Sequence, residues 1–241
     1  MSCFSMVKSS FKNSSYKKHF HDTYSISLIT LGECKIEIEN SNYTFKKGDI
    51  RVINPYEIHQ IFKSSWEHIN FIFSSYCFHT VLKDNFTYKF NNFINDNTLA
   101  KKLLNADTDD TFKIVKYMVQ NHLKSKIKSE NFLENEDKFQ KAITYIYQNA
   151  NRQDISLDEI SSYIGISKYH FIREFKKRFN ITPYRYIQNI KINNAKKMMR
   201  YNLPLSHIAL ECGFVDQSHL INSYKKFYGH TPSKIAIFYK I

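Results

Sequence analysis

The chain has 241 residues, 42% of them hydrophobic and 16% aromatic, with only 5 Gly and 4 Pro, a composition that excludes extended disorder and leaves room for two small domains with their own cores. Lys and Arg outnumber Asp and Glu by 35 to 22, for a formal net charge of +13, which favours a polyanionic partner. No apolar run approaches the ~18 residues of a membrane span, and Met1 to Ser15 is too polar for a signal peptide, so a cytoplasmic protein without a membrane partner is expected. Cys3, Cys34, Cys77 and Cys212 are scattered without Cys-x-x-Cys spacing, which argues against a zinc knot or a disulfide framework.

From Lys18 to about Phe73 the pattern has a period of two. Cys34, Ile36 and Ile38 alternate with Lys35, Glu37 and Glu39, the rhythm of a half-buried strand. Asn40-Ser41-Asn42 is expected to turn, Tyr43-Thr44-Phe45 to return, and Lys47-Gly48-Asp49 to turn again before a strand over Ile50 to Ile53 that Asn54-Pro55 ends. Short strands with frequent turns predict a small antiparallel barrel or sandwich. The order His19-x-His21, Gly32, Gly48-Asp49, Asn54-Pro55, His59 resembles a cupin. Three departures from the metal-binding cupins stand out: Ser25 where they place a glutamate, Asn54-Pro55-Tyr56 where they have Pro-x-Gly, and Lys63 where they tend to have asparagine. His19, His21 and His59 can converge as imidazole ligands, line an organic pocket, or simply pack as structural side chains; the missing carboxylate favours the pocket, with no metal and no cofactor. Arg51, the first arginine in the chain and well before the next at Arg152, joins His19, His21 and His59 as an effector-binding candidate, because a guanidinium on a strand suits a carboxylate or other polar acceptor; the alternative is that it points to solvent.

Between Asn91 and Lys128 the period becomes helical. Asp96-Asn97-Thr98 caps one expected helix through Leu99, Leu103 and Leu104, and Thr108-Asp109-Asp110 caps another through Phe112, Val115, Val119 and Leu123. Their apolar stripes need a partner, either a second subunit or the barrel itself. The polar, mixed-charge run from Ser125 to Asp137 carries the expected linker, drawn at 129–137, so that the domains are 1–128, for effector binding and dimerisation, and 138–241.

The last third says nearly the same thing twice, at a period of about 49 residues. Ile160, Gly165-Ile166, Ser167, His170-Phe171-Ile172, Phe175-Lys176-Lys177 and Thr182-Pro183 are answered by Ile208, Gly213-Phe214, Asp216, His219-Leu220-Ile221, Tyr224-Lys225-Lys226 and Thr231-Pro232. Each copy predicts a short helix, a glycine turn and a longer helix, the helix-turn-helix pattern. Ser156 and Ser206 are expected to cap the short helices, Ser167 and Asp216 the longer ones, and Asn180 and Gly229 to end them. Phe171, Phe175 and Phe179, and in the second copy Leu220, Tyr224 and Phe227, form the stripes expected to be buried. Thr182-Pro183 should open a long helix to about Tyr201 that joins the copies, ~28 Å at 1.5 Å per residue, against ~34 Å between successive major-groove faces on one side of B-DNA.

These segments, above all Ile208-Ala209-Leu210-Glu211-Cys212-Gly213-Phe214 and Phe227-Tyr228-Gly229-His230-Thr231-Pro232, resemble the AraC/XylS family of bacterial transcription regulators over about the last hundred residues. The cupin-like stretch is similar to the sensory domain that precedes the DNA-binding domain in many of them. The resemblance implies an α+β chain with an all-α domain of two helix-turn-helix units, double-stranded DNA and a small-molecule effector as partners, RNA polymerase as a further one, and a homodimer. Its DNA-binding positions fall on Lys168, Tyr169, Ile172, Arg173 and Lys176 in the first copy and on Gln217, Ser218, Ile221, Asn222 and Lys225 in the second. Asn222 stands where the family often has arginine. From Lys138 to Ile241 there are 17 Lys and Arg against 6 Asp and Glu, so the basic excess follows the repeat, as phosphate neutralisation requires. The resulting reading is a sequence-specific, ligand-sensing transcription regulator, not an enzyme. The alternatives are a constitutive regulator with a structural barrel, and a metal-dependent cupin enzyme that would lack both a carboxylate ligand and an obvious acid or base.

Overall fold

The computed structural model describes residues 4–84, 86–107, 110–128, 138–201, 203–228 and 231–232. The expected linker at 129–137, the cap residues Thr108 and Asp109, and the helix terminator Gly229 lie outside them. By its contacts the chain divides into a unit of Met1–Ser15 with Phe20–Leu133 and a unit of Tyr16–His19 with Glu134–Ile241.

The first unit is built on five strands: β1 (Phe4–His19), whose last four residues group with the second unit, β2 (Thr23–Ile38), β3 (Ser41–Lys46), β4 (Ile50–Ile53) and β5 (His59–Ser74). They are followed by α1 (Ser75–Leu82), β6 (Phe86–Phe90), β7 (Phe93–Ile94), α2 (Asn97–Leu104), α3 (Thr111–His122) and β8 (Leu123–Lys128). β2 organises the sheet, whose order is β1-β5-β2-β4-β7 with β3 also on β2. Its first half pairs with β4, placing Ser27 opposite Arg51, and its second half pairs with β3, placing Cys34 opposite Phe45. Along its other edge runs β5, with register shifts between Ile29 and Leu31 and between Glu33 and Ile36. Gly32 sits between those shifts at φ +73°, where a Cβ would lie 2.3 Å from the Ser65 carbonyl oxygen; only glycine permits that approach. The pairings of β2 with β3, β4 and β5 and of β4 with β7 are antiparallel, as expected, and among the described residues the strand order runs from β1 to β7 without closing on itself.

The turn expected over Asn40-Ser41-Asn42 falls one residue earlier. Glu39 and Asn40 take φ of 49° and 72°, and β3 is already extended at Ser41; two consecutive left-handed residues are what a tight hairpin needs to match strand twist. β1 and the β6–β8 ribbon, with Tyr88 opposite Lys126, have no counterpart in the sequence reading, which began its strands at Lys18 and placed the polar linker run from Ser125.

One face of the sheet carries Tyr24, Ile26, Leu28, Ile50, Val52, Ile69, Phe71 and Phe73, packed with Leu99, Leu103, Ile114, Val115 and Met118 of α2 and α3. The helices therefore spend most of their apolar stripes on their own sheet, at ~1.5–3 kcal/mol per fully buried side chain. Leu104 and Phe112 stay exposed. Asp96 caps α2 by accepting from the Thr98 and Leu99 amides, and also holds Tyr117 and His122 of α3.

The second unit contains α4 (Lys138–Asn149), α5 (Leu157–Tyr163), α6 (Lys168–Phe179), α7 (Pro183–Met198), α8 (Leu205–Glu211) and α9 (Gln217–Tyr228). Ser156, Ser167, Thr182 and Asp216 accept from the amides of Glu159, His170, Arg185 and His219 as N-caps. Ser206 does not cap: α8 starts one residue earlier, at Leu205, behind Pro204, whose fixed φ sets the entry in place of a side-chain acceptor. α7 stops at Met198 and tightens into a 3-10 turn over Met199–Tyr201, so its α-helical part is ~24 Å long, shorter than the sequence predicts.

α7 is the spine of this unit. It buries Pro183, Tyr186, Ile187 and Ile190 in its first half, where Tyr186 meets Phe175 edge-on. Ile192 and Ala195 join the second copy's core of Ile208, Ala209, Cys212, Phe214, Leu220, Tyr224 and Phe227. Between the two, buried Lys191 donates Nζ to the carbonyls of Arg152 at 3.0 Å and Gly213 at 2.8 Å, satisfying acceptors that would otherwise be stranded. Burial holds its pKa below the usual lysine value.

Candidate DNA-reading surface and interior polar cluster

The glycine turns make both copies alike. Gly165 (φ +66°) donates to Ser162 and Ile166 to Ser161, both at 3.0 Å; Gly213 (φ +71°) donates to Leu210 at 3.0 Å and Phe214 to Ala209 at 2.9 Å. Each pair closes the short helix with a left-handed cap and turns the chain into α6 or α9.

Because Phe171 and Phe175 are buried and Phe179 half-buried, the opposite side of α6 faces solvent. Tyr169 is 86% exposed, Lys168, Arg173 and Lys176 are exposed, and Ile172 is half-buried. On α9 the burial of Leu220, Tyr224 and Phe227 likewise turns Gln217, Ser218, Asn222 and Lys225 outward, with Ile221 half-buried. The ten positions named from the sequence thus form two outward faces. Lys168 Nζ lies 2.7 Å from Asp158, and Arg173 donates Nε to Glu174 at 3.3 Å and sits 3.3 Å from His170 Nδ1. These exposed pairs are worth ~0–1 kcal/mol each, so a phosphate or a guanine edge can displace them. Lys176 and Lys225 make no ion pair with described residues.

The effector candidates separate. His21 and His59 meet edge-on with ring centroids 5.1 Å apart, and each ring Nδ1 is tied to a main-chain carbonyl, Thr23 at 2.7 Å and Glu57 at 2.9 Å. His19, tied by Nδ1 to Lys17 at 2.8 Å, is grouped with the helical unit. Arg51 lies elsewhere, on the sheet face opposite the helices, 4% exposed. It donates Nη1 to Cys34 Sγ at 3.1 Å and Nη2 to Ser27 Oγ at 3.0 Å. Ser25 and Ser27 both donate to Asn70 Oδ1, at 2.8 and 3.0 Å. One period along β5, buried His68 packs against Phe11 and Trp66. Burial and the charge of Arg51 hold its pKa well below that of a free histidine, while burial pushes the Cys34 thiol up. Sequence reasoning missed Ser25, Ser27, Cys34, His68 and Asn70 as a set. The signal was there: Ser25/Ser27 and His68/Asn70 are polar pairs at period two inside strands whose other face is apolar. Among the described residues no three His, Cys, Asp or Glu side chains gather as a metal-ligand set.

Residues 6–106 match the AraC-like ligand binding domain family, and residues 160–236 match a helix-turn-helix domain family. The chain is 25% identical over 229 residues to the HTH-type transcriptional regulator YbfI of Bacillus subtilis, covering 85% of this chain and 81% of that one. It is 32% identical over 95 residues to the probable transcriptional regulator LumQ of Photobacterium leiognathi, covering 39% of this chain but only 38% of LumQ. Among solved structures, ToxT of Vibrio cholerae superposes with a TM-score of 0.62 over 99% of this chain and 100% of ToxT, at 12% identity. A second ToxT structure, with an unsaturated fatty acid bound, gives 0.62 over 98% and 95% at 13% identity; at such identities the likeness is one of fold. With an AraC-like ligand-binding domain followed by a helix-turn-helix DNA-binding domain, and a transcriptional regulator matched over 81% of its length among its relatives, the chain is an AraC-type transcriptional regulator.

Proposed function

We propose that this DNA-binding regulator reads a bipartite site with Lys168, Tyr169, Ile172, Arg173 and Lys176 of α6 and Gln217, Ser218, Ile221, Asn222 and Lys225 of α9. The observation that carries this reading is the pair of outward faces, each opposite a buried apolar stripe on a helix that follows a glycine turn. In this scheme Arg173 addresses a guanine and Asn222 an adenine, Ile172 and Ile221 touch thymine methyls, and the lysines hold phosphates.

A small polar or anionic effector acts through the first unit, with Arg51, His21 and His59 as its candidate contacts; His19 drops out because it groups with the helical unit. The protein works in the cytoplasm as a homodimer, supported by the exposed Leu104 and Phe112 that α2 and α3 leave over after packing, and it meets RNA polymerase at promoters. No catalytic role is assigned to any residue. The test is affinity for a bound genomic fragment across a salt series. With several lysine and arginine contacts to phosphate, log K should fall linearly with log salt, at a slope near −0.9 per neutralised phosphate; an affinity that hardly changes between low and physiological salt would contradict a phosphate-held interface.

A further inference from the structure

Arg51 is a buried cation among neutral groups. Of the five N–H groups of a guanidinium, one goes to Cys34 Sγ and one to Ser27 Oγ, and Nε has no hydrogen-bond partner. Among the described residues no carboxylate pairs with it. The groups around it do not carry the missing charge: Ser27 and Asn70 are neutral, the Cys34 thiol is kept protonated by burial, and His68 is kept neutral by burial and by Arg51 itself. His68 adds a second buried orphan, since its Nδ1 also has no partner. Buried charges are ordinarily paired, and a buried cation left alone is costly. The serine–asparagine chain fixes the Ser27 hydroxyl, and with it the guanidinium, so the unused Nε edge is preorganised rather than searching for a partner.

We infer that the effector is a small monocarboxylate whose oxygens take the unused Nε–H edge of Arg51 in a side-on fork, with the His68 ring as second donor, on the sheet face opposite the helices. Resting on the ligand-sensing reading above, this specifies the chemistry of the ligand and moves the centre of the site from the histidine pair His21 and His59 to Arg51, Ser27, Asn70 and His68. A carboxylate fits because its two coplanar oxygens match the planar N–H pair of the guanidinium. A neutral isostere leaves the buried cation uncompensated.

The experiment uses the full-length protein, with acetate, butyrate, octanoate and benzoate as probes, each compared with its primary amide at equal ionic strength in chloride. Thermal stabilisation and calorimetric binding are measured for wild type, Arg51→Gln, Ser27→Ala and His21→Ala. At least one carboxylate should stabilise the wild type while its amide does not. Arg51→Gln should weaken that carboxylate by about 10- to 100-fold, the worth of a charge-assisted hydrogen bond. Ser27→Ala should weaken it less, and His21→Ala less than Ser27→Ala. If Arg51→Gln fails to fold, the comparison of acid with amide on wild type and the order of Ser27→Ala against His21→Ala still decide. The inference is overturned if none of the carboxylates outperforms its amide, or if His21→Ala costs more than Ser27→Ala. The amides keep the two readings apart: an amide that binds and shifts DNA affinity would leave a ligand sensor of different chemistry, whereas carboxylates that bind without shifting DNA affinity would sink the sensing role and leave the site.

Discussion

Gly165 and Gly213 hold equivalent places in the two copies and have nearly the same φ, +66° and +71°, yet the same substitution should cost them different amounts. An alanine at Gly165 meets nothing within 4 Å, so its cost is the left-handed backbone alone, ~1–2 kcal/mol. At Gly213 the new Cβ would lie 2.3 Å from the Asn151 carbonyl oxygen and 3.0 Å from Lys191 Nζ. The first of these is backbone and cannot swing away, and moving it disturbs the loop whose Arg152 carbonyl Lys191 also holds. Overpacking of this kind adds ~1–3 kcal/mol, for a total of ~2–5 kcal/mol at Gly213. Urea unfolding followed by the helical circular dichroism signal measures both variants against wild type. Equal destabilisation of Gly165→Ala and Gly213→Ala, or a larger loss at Gly165, would refute the close approach of the second turn to the loop after α4 and with it the role assigned to Lys191.

His68 supplies a pH dependence with a definite sign. Its folded pKa lies well below the unfolded value of 6.5, so unfolding takes up a proton as pH falls through 6.5, and stability drops by up to ~1.4 kcal/mol per pH unit below that point. His68→Asn should flatten this slope between pH 6.5 and 5, and an unchanged slope would show that His68 titrates normally. Lys176→Ala should weaken all DNA sequences about equally and reduce the salt slope by ~1, as checked by fluorescence anisotropy across a salt series; a change in base preference would assign Lys176 to a base instead. Asp216→Ala removes the oxygen that accepts the His219 amide at 2.7 Å and should cost ~1 kcal/mol, whereas Ser206→Ala, at a position that caps nothing, should cost little in the same unfolding assay.

The helical half was legible because its signals are local. Gly165 and Gly213 punctuate, Ser156, Ser167, Thr182 and Asp216 cap within three residues of themselves, and the apolar stripes of α6 and α9 have the helical period. Ser206 misled because a hydroxyl in the right place competes with a proline two residues earlier that fixes the backbone without any acceptor. α4 carries apolar Phe139, Ala142 and Ile146 at helical spacing, a local signal of the same kind. The sheet was less legible because its partners are distant: β1 pairs with β5 only in the folded chain, and β8 pairs with β6 across two intervening helices. The polar interior was hidden by the pattern that revealed the strand. Alternation in Tyr24-Ser25-Ile26-Ser27-Leu28 suggests one wet face, yet Ser25 and Ser27 are both buried, on the face opposite the one the helices cover. Period two identifies two faces and cannot say that both are dry.

Binding-site selection from a randomised duplex pool, carried out in parallel for wild type, Arg173→Ala and Asn222→Ala, tests most directly whether two helices each read their own stretch of DNA. The wild type should select a bipartite site. Arg173→Ala should relax one guanine and Asn222→Ala one adenine, each at a cost of ~1–3 kcal/mol, with the two bases about one helical turn apart. Preferences that change at the same base for both variants, or at none, would contradict a regulator that places α6 and α9 in successive major grooves.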